Sequence, residues 1–182
     1  AIRALPNNTG IISFDAHFDL RDEYAGKKFS HATFMRRAVE EVGLDKVFFV
    51  GIRAVCKEEI NYAKANNAFY LTPDSFKRPK HALKKINDFA KSFSSIYIST
   101  DMDVFDPVLA PGVANPEPGG IYLGQFLESL NNIHTPVIGF DVVEVTPEYD
   151  FGLTSILASK IIFEIICSSE TERFNPTCRR NR

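Results

Sequence analysis

Short apolar runs rich in Ile, Val, Phe and Tyr recur along the chain, at 10–16, 46–52, 68–72, 94–100 and 136–145. Apolar residues fill these runs continuously rather than alternating with polar ones, which predicts strands covered on both faces. Between them, the segments at about 31–43, 57–66, 79–92 and 121–132 space their apolar residues at helical intervals. Strands alternating with helices need crossover connections, so the pattern predicts an α/β fold with a largely parallel sheet. A further stretch, 150–167, reads as an amphipathic helix with Lys160 and Glu164 one turn apart on a solvated face. Residues 168–182 are polar and predict a tail beyond a single domain spanning 1–167.

Two of the runs end in acids. Asp15, His17 and Asp19 follow the first at every second position, and Asp101 and Asp103 repeat the device after 94–100. If extended geometry persists to the end of each run, residues two apart face the same side, and the five side chains converge beyond the carboxyl ends of two strands. Carboxylates crowded there repel one another and lose solvation, and a divalent cation relieves both costs. Four carboxylates with one imidazole and no thiolate form a hard ligand set that favours Mn2+ or Mg2+. Five ligands also exceed what one such ion takes from protein while keeping a position open, which points to a pair of ions. Asp106, before Pro107, reads as a turn residue, and His81 and His134 read as surface residues. The segment 106–120 carries Pro107, Pro111, Pro116 and Pro118 with Gly112, Gly119 and Gly120, and predicts a stiff loop able to hold a site wall still.

The stretches "DAHFD", "STDMDVFDP", "PGVANPEPGG" and "GFDVVEVTP", in this order, resemble the ureohydrolase family of arginases and agmatinases. The resemblance implies a three-layer α/β/α fold, of whose eight-stranded parallel sheet about five strands are present here, and a dinuclear manganese centre that hydrolyses a guanidinium to urea and an amine. It implies that Asp15 and Asp101 bridge two Mn2+ ions, that His17 and Asp103 complete one site, and that Asp19 belongs to the other and to the catalytic set. His31 falls where the family places a proton-shuttling histidine, and Glu144 where a carboxylate receives the substrate guanidinium. A typical member supplies a sixth ligand, a histidine in a Gly-Gly-Asp-His-type motif that this sequence lacks. The chain is therefore expected to start downstream of that motif, without the N-terminal third, and to leave 136–145 as an apolar sheet edge. Arg21, in "LRDEYAGKKFSHAT", resembles prokaryotic agmatinases, which implies agmatine as substrate with putrescine and urea as products, in polyamine biosynthesis. Arginase, guanidinobutyrase and formiminoglutamase activities stay open, as does a catalytically inactive metal-binding paralogue. The resemblance further implies a homo-oligomer, a trimer or hexamer.

Composition narrows the partners. At 182 residues, 45% hydrophobic and 24% charged, the chain suits one globular domain, and a formal net charge of -2 gives no reason to expect nucleic acid or an anionic membrane. Small molecules are the expected ligands. Three cysteines without Cys-x-x-Cys spacing indicate neither a disulfide framework nor a zinc ribbon. With no leader-like segment or apolar span, a cytoplasmic protein is expected.

Overall fold

The computed structural model describes residues 1–174, with side chains as far as Ser169. Five strands, β1 (Thr9–Phe14), β2 (Val47–Val50), β3 (Phe69–Leu71), β4 (Ser95–Asp101) and β5 (Val137–Val143), alternate with five helices. These are α1 (Phe34–Val42), α2 (Lys57–Ala65), α3 (Pro79–Ala90), α4 (Leu123–Asn131) and α5 (Leu153–Phe174). Every strand pairing is parallel, and the order is β3-β2-β1-β4-β5. The chain steps outward from β1 to β3, then returns to lay β4 on the opposite side of β1. Ligands of open α/β sheets bind at such a reversal, where the loops leaving two neighbouring strands part to opposite faces.

All six residues of β1 are buried, because β1 is covered on both faces. On one face Ile12 and Phe14 join Phe48, Val50, Ile96 and Ile98 under α3, α4 and α5, while on the other Ile11 joins Val47, Phe49 and Tyr97 under α1 and α2. Phe14 meets Phe126 of α4 with 4.7 Å between ring centroids, and burying each such side chain contributes about 1.5–3 kcal/mol. Two packed faces explain the unbroken apolar runs and form the three-layer sandwich that the sequence implies.

The structure departs from the sequence reading at the C-terminal end of the fold. Helix α5 runs on to Phe174, past the expected end at Cys167, and the rest of the polar tail lies outside the described residues. Nor is α5 amphipathic: Thr154, Ala158, Ile161 and Ile165 are buried, while Leu153, Ile156, Phe163 and Ile166 are exposed on other faces. Lys160 and Glu164 do pair, but they sit among apolar neighbours. Strand β5 is an edge, as expected, and leaves Ile138 and Val143 exposed. Among the described residues no helix is long and apolar enough to cross a membrane.

Candidate metal centre and catalytic cleft

Register brings the two acidic clusters together. Phe14 pairs with Thr100, so the residues that follow them, Asp15 just past β1 and Asp101 at the end of β4, stand side by side. Past Asp101 and Asp15, however, the remaining ligands are not carried outward in extended form. β1 ends at Phe14, and Asp19 takes a left-handed backbone with φ 52. Asp103 lies in a 3-10 turn, Met102–Val104, whose first N–H groups are free to be capped; its own N–H donates to the Asp101 carboxylate at 2.9 Å. The His17 N–H donates to Asp15 at 2.6 Å and the Ala16 N–H to Asp103 at 3.0 Å. Convergence is thus produced by tight turns that backbone amides stabilise, rather than by strand pleat.

Three of the five expected ligands meet at one point: single ligand atoms of Asp15, His17 and Asp103 lie within 4.8 Å of one another. His17 Nδ1 sits 2.9 Å from an Asp103 oxygen and 3.6 Å from an Asp15 oxygen. Asp101 and Asp19 stand beside this group on the wall of the same cleft. Asp15, Asp101 and Asp103 are buried. Burial pushes the Asp15 carboxyl up to about 7, with the charge of Asp103 adding to it and the His17 hydrogen bond opposing. Burial and then the charge of Asp15 push Asp19 up to about 8, and burial with Asp15 and Asp103 pushes Asp101 up to about 10. His17 is raised to about 11, first by its hydrogen bond to Asp103 and then by that to Asp15. Burial opposes ionisation of Asp103 too, but hydrogen bonds from His17 and the Ala16 N–H outweigh it and hold that carboxyl below its usual range. A proton on His17 Nδ1 therefore stands between the Asp103 and Asp15 oxygens, where a positive charge offsets the burial that opposes their ionisation.

His31 and Glu144 line this cleft as well, a cavity of about 590 Å3 that also holds Arg21, Tyr24 and Glu59. His31 opens the 3-10 turn His31–Thr33, which Ser30 and Thr33 stabilise by a capping box. Its ring meets the ring of Tyr24 edge-on at 5.4 Å, and Tyr24 is presented by a tight turn in which it exchanges two 2.9 Å backbone hydrogen bonds with Lys27. Arg21 lies over the other side of that network, 5.0 Å from the Tyr24 ring and 3.6 Å from Glu59. Glu144 follows β5 with φ 60. Glu144 and Asp19 are thus non-glycine residues held in a sparsely populated conformation at the site, where such strain is commonly stored.

Glu59 is a cleft residue that escaped the sequence reading, and the partners of Asp141 are new. Glu59 is buried and accepts the Leu20 and Cys56 N–H groups at 3.1 Å; its place three residues after the N-cap of α2, Cys56, is a capping signal. Asp141 accepts hydrogen bonds from Tyr97 and Ser99, each at 2.8 Å, a cross-strand pairing visible only with the register of β4 and β5. Asp106 is the turn former expected, accepting from Val108 and Gly119 at 3.1 and 2.8 Å, and His81 and His134 are exposed.

The model of the Arginase family matches residues 1–168. The chain belongs to that family. The agmatinase of Halalkalibacterium halodurans is 38% identical over 171 residues, covering 91% of this chain and 57% of its own. That of Bacillus subtilis is 39% identical over 160 residues, 86% of this chain and 53% of its own. Among solved structures, the agmatine ureohydrolase of Thermoplasma volcanium superposes with a TM-score of 0.87 at 35% identity, over 95% of this chain and 59% of that one. This arginase-family chain therefore spans somewhat over half the length of the relatives it matches, with the acidic strand ends and the cleft inside the shared part.

Proposed function

We propose that this chain carries the hydrolytic site of an agmatinase-like ureohydrolase, converting agmatine and water to putrescine and urea. The observation that carries the reading is the convergence of Asp15, His17, Asp101 and Asp103 with His31 and Glu144 on one cleft at the reversal of sheet order. Asp15, His17, Asp101 and Asp103 would hold one Mn2+, and Asp19 with the Asp15 and Asp101 carboxylates a second; the oxygen-rich set with one imidazole suits that hard ion. When bound, such cations supply Lewis acidity and activate water near neutral pH. The protein groups do the rest. Glu144 pairs with the guanidinium and fixes its plane, and His31 passes a proton to the departing amine as the C–N bond breaks. Water contributes the oxygen of urea, and its two protons end on the departing nitrogen, which leaves as the ammonium of putrescine. The named agmatinases among the relatives support agmatine.

One observation favours a second reading of the substrate. The Arg21 guanidinium lines the cleft, steadied by Glu59 and Tyr24, and a cation there suits a guanidino acid with a terminal carboxylate. The test is urea release by the Mn2+-loaded chain from agmatine, arginine and 4-guanidinobutyrate in parallel. Turnover on agmatine supports the first reading, and preference for 4-guanidinobutyrate the second. His31→Asn should lower turnover roughly 100–10,000-fold with Mn2+ binding retained. No urea from any substrate, with Mn2+ bound, would overturn the enzymatic reading and favour a metal-binding subunit.

A further inference from the structure

Arg53 lies outside the ligand set, yet it touches three segments that form the centre. Its backbone N–H donates at 2.9 Å to the carbonyl of Ala16, the residue between Asp15 and His17. Its guanidinium crosses beneath the end of β4, where Nη2 donates to the Asp103 carbonyl at 2.7 Å and the Phe105 carbonyl at 3.3 Å, and Nη1 to the Val104 carbonyl at 3.3 Å. The same group reaches the proline-rich loop, donating to the Glu117 carbonyl at 2.6 Å through Nη2 and at 3.2 Å through Nε, and to the Pro118 carbonyl at 3.3 Å. A last bond, Nη1 to the Gly51 carbonyl at 3.2 Å, fixes its root. It forms no ion pair among the described residues; its donors are spent on backbone carbonyls. Only a planar fork with five N–H groups spans acceptors so placed, and lysine, with a single compact donor head, does not.

We propose that Arg53 is a positioning residue that locks the Asp103 ligand, the Asp15–His17 turn and the Val113–Glu117 cleft wall into one geometry. This rests on the metal-centre reading above. The wall has a second anchor at its far end, where the Gly112 N–H donates to the Thr154 hydroxyl at 2.8 Å, so release at Arg53 frees one end of the wall while the other stays fixed. Groups that orient a metal ligand typically carry a 10–100-fold share of metal affinity.

Arg53→Lys, with Arg53→Met beside it, tests the assignment on the full chain. Mn2+ affinity is read by titration calorimetry with the metal alone, and backbone protection by hydrogen exchange. The expected result for Arg53→Lys is Mn2+ binding weakened by roughly 10–100-fold, with faster exchange confined to 113–119 and the β1 and β4 amides as protected as in the unmodified chain. Arg53→Met should be at least as weak. Unchanged Mn2+ affinity with unchanged protection at 113–119 overturns the proposal. So does global loss of protection in Arg53→Lys, which would make Arg53 a support of the whole fold rather than of the site. Should the unmodified chain bind no Mn2+, the metal reading fails first, and the exchange of 113–119 alone then decides whether Arg53 holds the wall.

Discussion

Removing divalent cations with a chelator and raising the pH from 5 to 7 should lower the melting temperature by roughly 4–8 °C. Burial lifts Asp15 from 3.8 to about 7, so at pH 5 the folded chain keeps a proton that the unfolded chain has mostly released. A carboxyl raised in this way contributes stability that is full below 3.8 and lost as the pH rises through about 7. At ~1.4 kcal/mol per unit the whole shift is worth about 4 kcal/mol, of which about 2 kcal/mol disappears between pH 5 and 7. Asp19, at about 8, and Asp101, at about 10, act with the same sign and extend the decline upward. His17 does likewise, its stabilisation full below 6.5 and lost as the pH climbs toward about 11. Asp103 has the opposite sign, but its carboxyl is held below 3.8, so its contribution changes only in more acid solution. Mn2+ bound as proposed would need these same groups without their protons, so its affinity should rise over the interval in which the metal-free chain weakens. At 100 times its Kd it adds ~2.7 kcal/mol and offsets most of the loss. Scanning fluorimetry from pH 5 to 8, with chelator and with Mn2+, is the assay. A chelated protein whose melting temperature is flat or rises between pH 5 and 7 would refute the reasoning, since Asp15 would then ionise in the fold as easily as outside it.

Asp19→Asn should raise the melting temperature of the chelated protein at pH 8.5 by an amount worth at least about 1 kcal/mol, because it removes a charge disfavoured by burial and because Asn tolerates the φ 52 backbone; an unchanged or lower value contradicts this. Gly112→Ala places a Cβ 2.6 Å from the Asp150 carboxyl carbon and should cost about 1–3 kcal/mol, seen in urea unfolding, with KM rising as the cleft wall shifts. Ile138→Lys, on an edge strand where Ile138 is 46% exposed, should slow concentration-dependent light scattering while stability stays within about 0.5 kcal/mol.

All five strands were legible because each run is packed on both faces or closes an edge, and Ile11, Ile12 and Phe14 announce that without alternation. The acids at the strand ends were legible as a cluster, since both lie where α/β sheets place their sites. Their actual geometry was not: pleat predicts that Asp15, His17 and Asp19 face one way, but the chain leaves β1 at Phe14 and turns through a left-handed residue at Asp19. Short-range alternation carries no information about such a turn. The outward face of α5 was misread for a related reason. Lys160 and Glu164 suggested a polar stripe, yet Ile156 and Phe163 lie at helical spacings from Lys160 on the exposed side. Arg53 was invisible because its partners are carbonyls, which every residue owns.

The adjacency of β1 and β4 also governs when the centre can exist. Ala16 and the Asp103 carboxylate that it contacts are 87 residues apart in sequence, and everything between them, including β2, β3 and α1 to α3, must be looped out for the two strand ends to meet. Closing so long a loop is an entropic debt settled only late in folding. A partly folded chain accordingly holds scattered carboxylates rather than a socket, and if the proposed Mn2+ site is the chain's own, the rate at which refolding protein acquires tight Mn2+ binding should track the return of the β1–β4 pairing, not the formation of its helices.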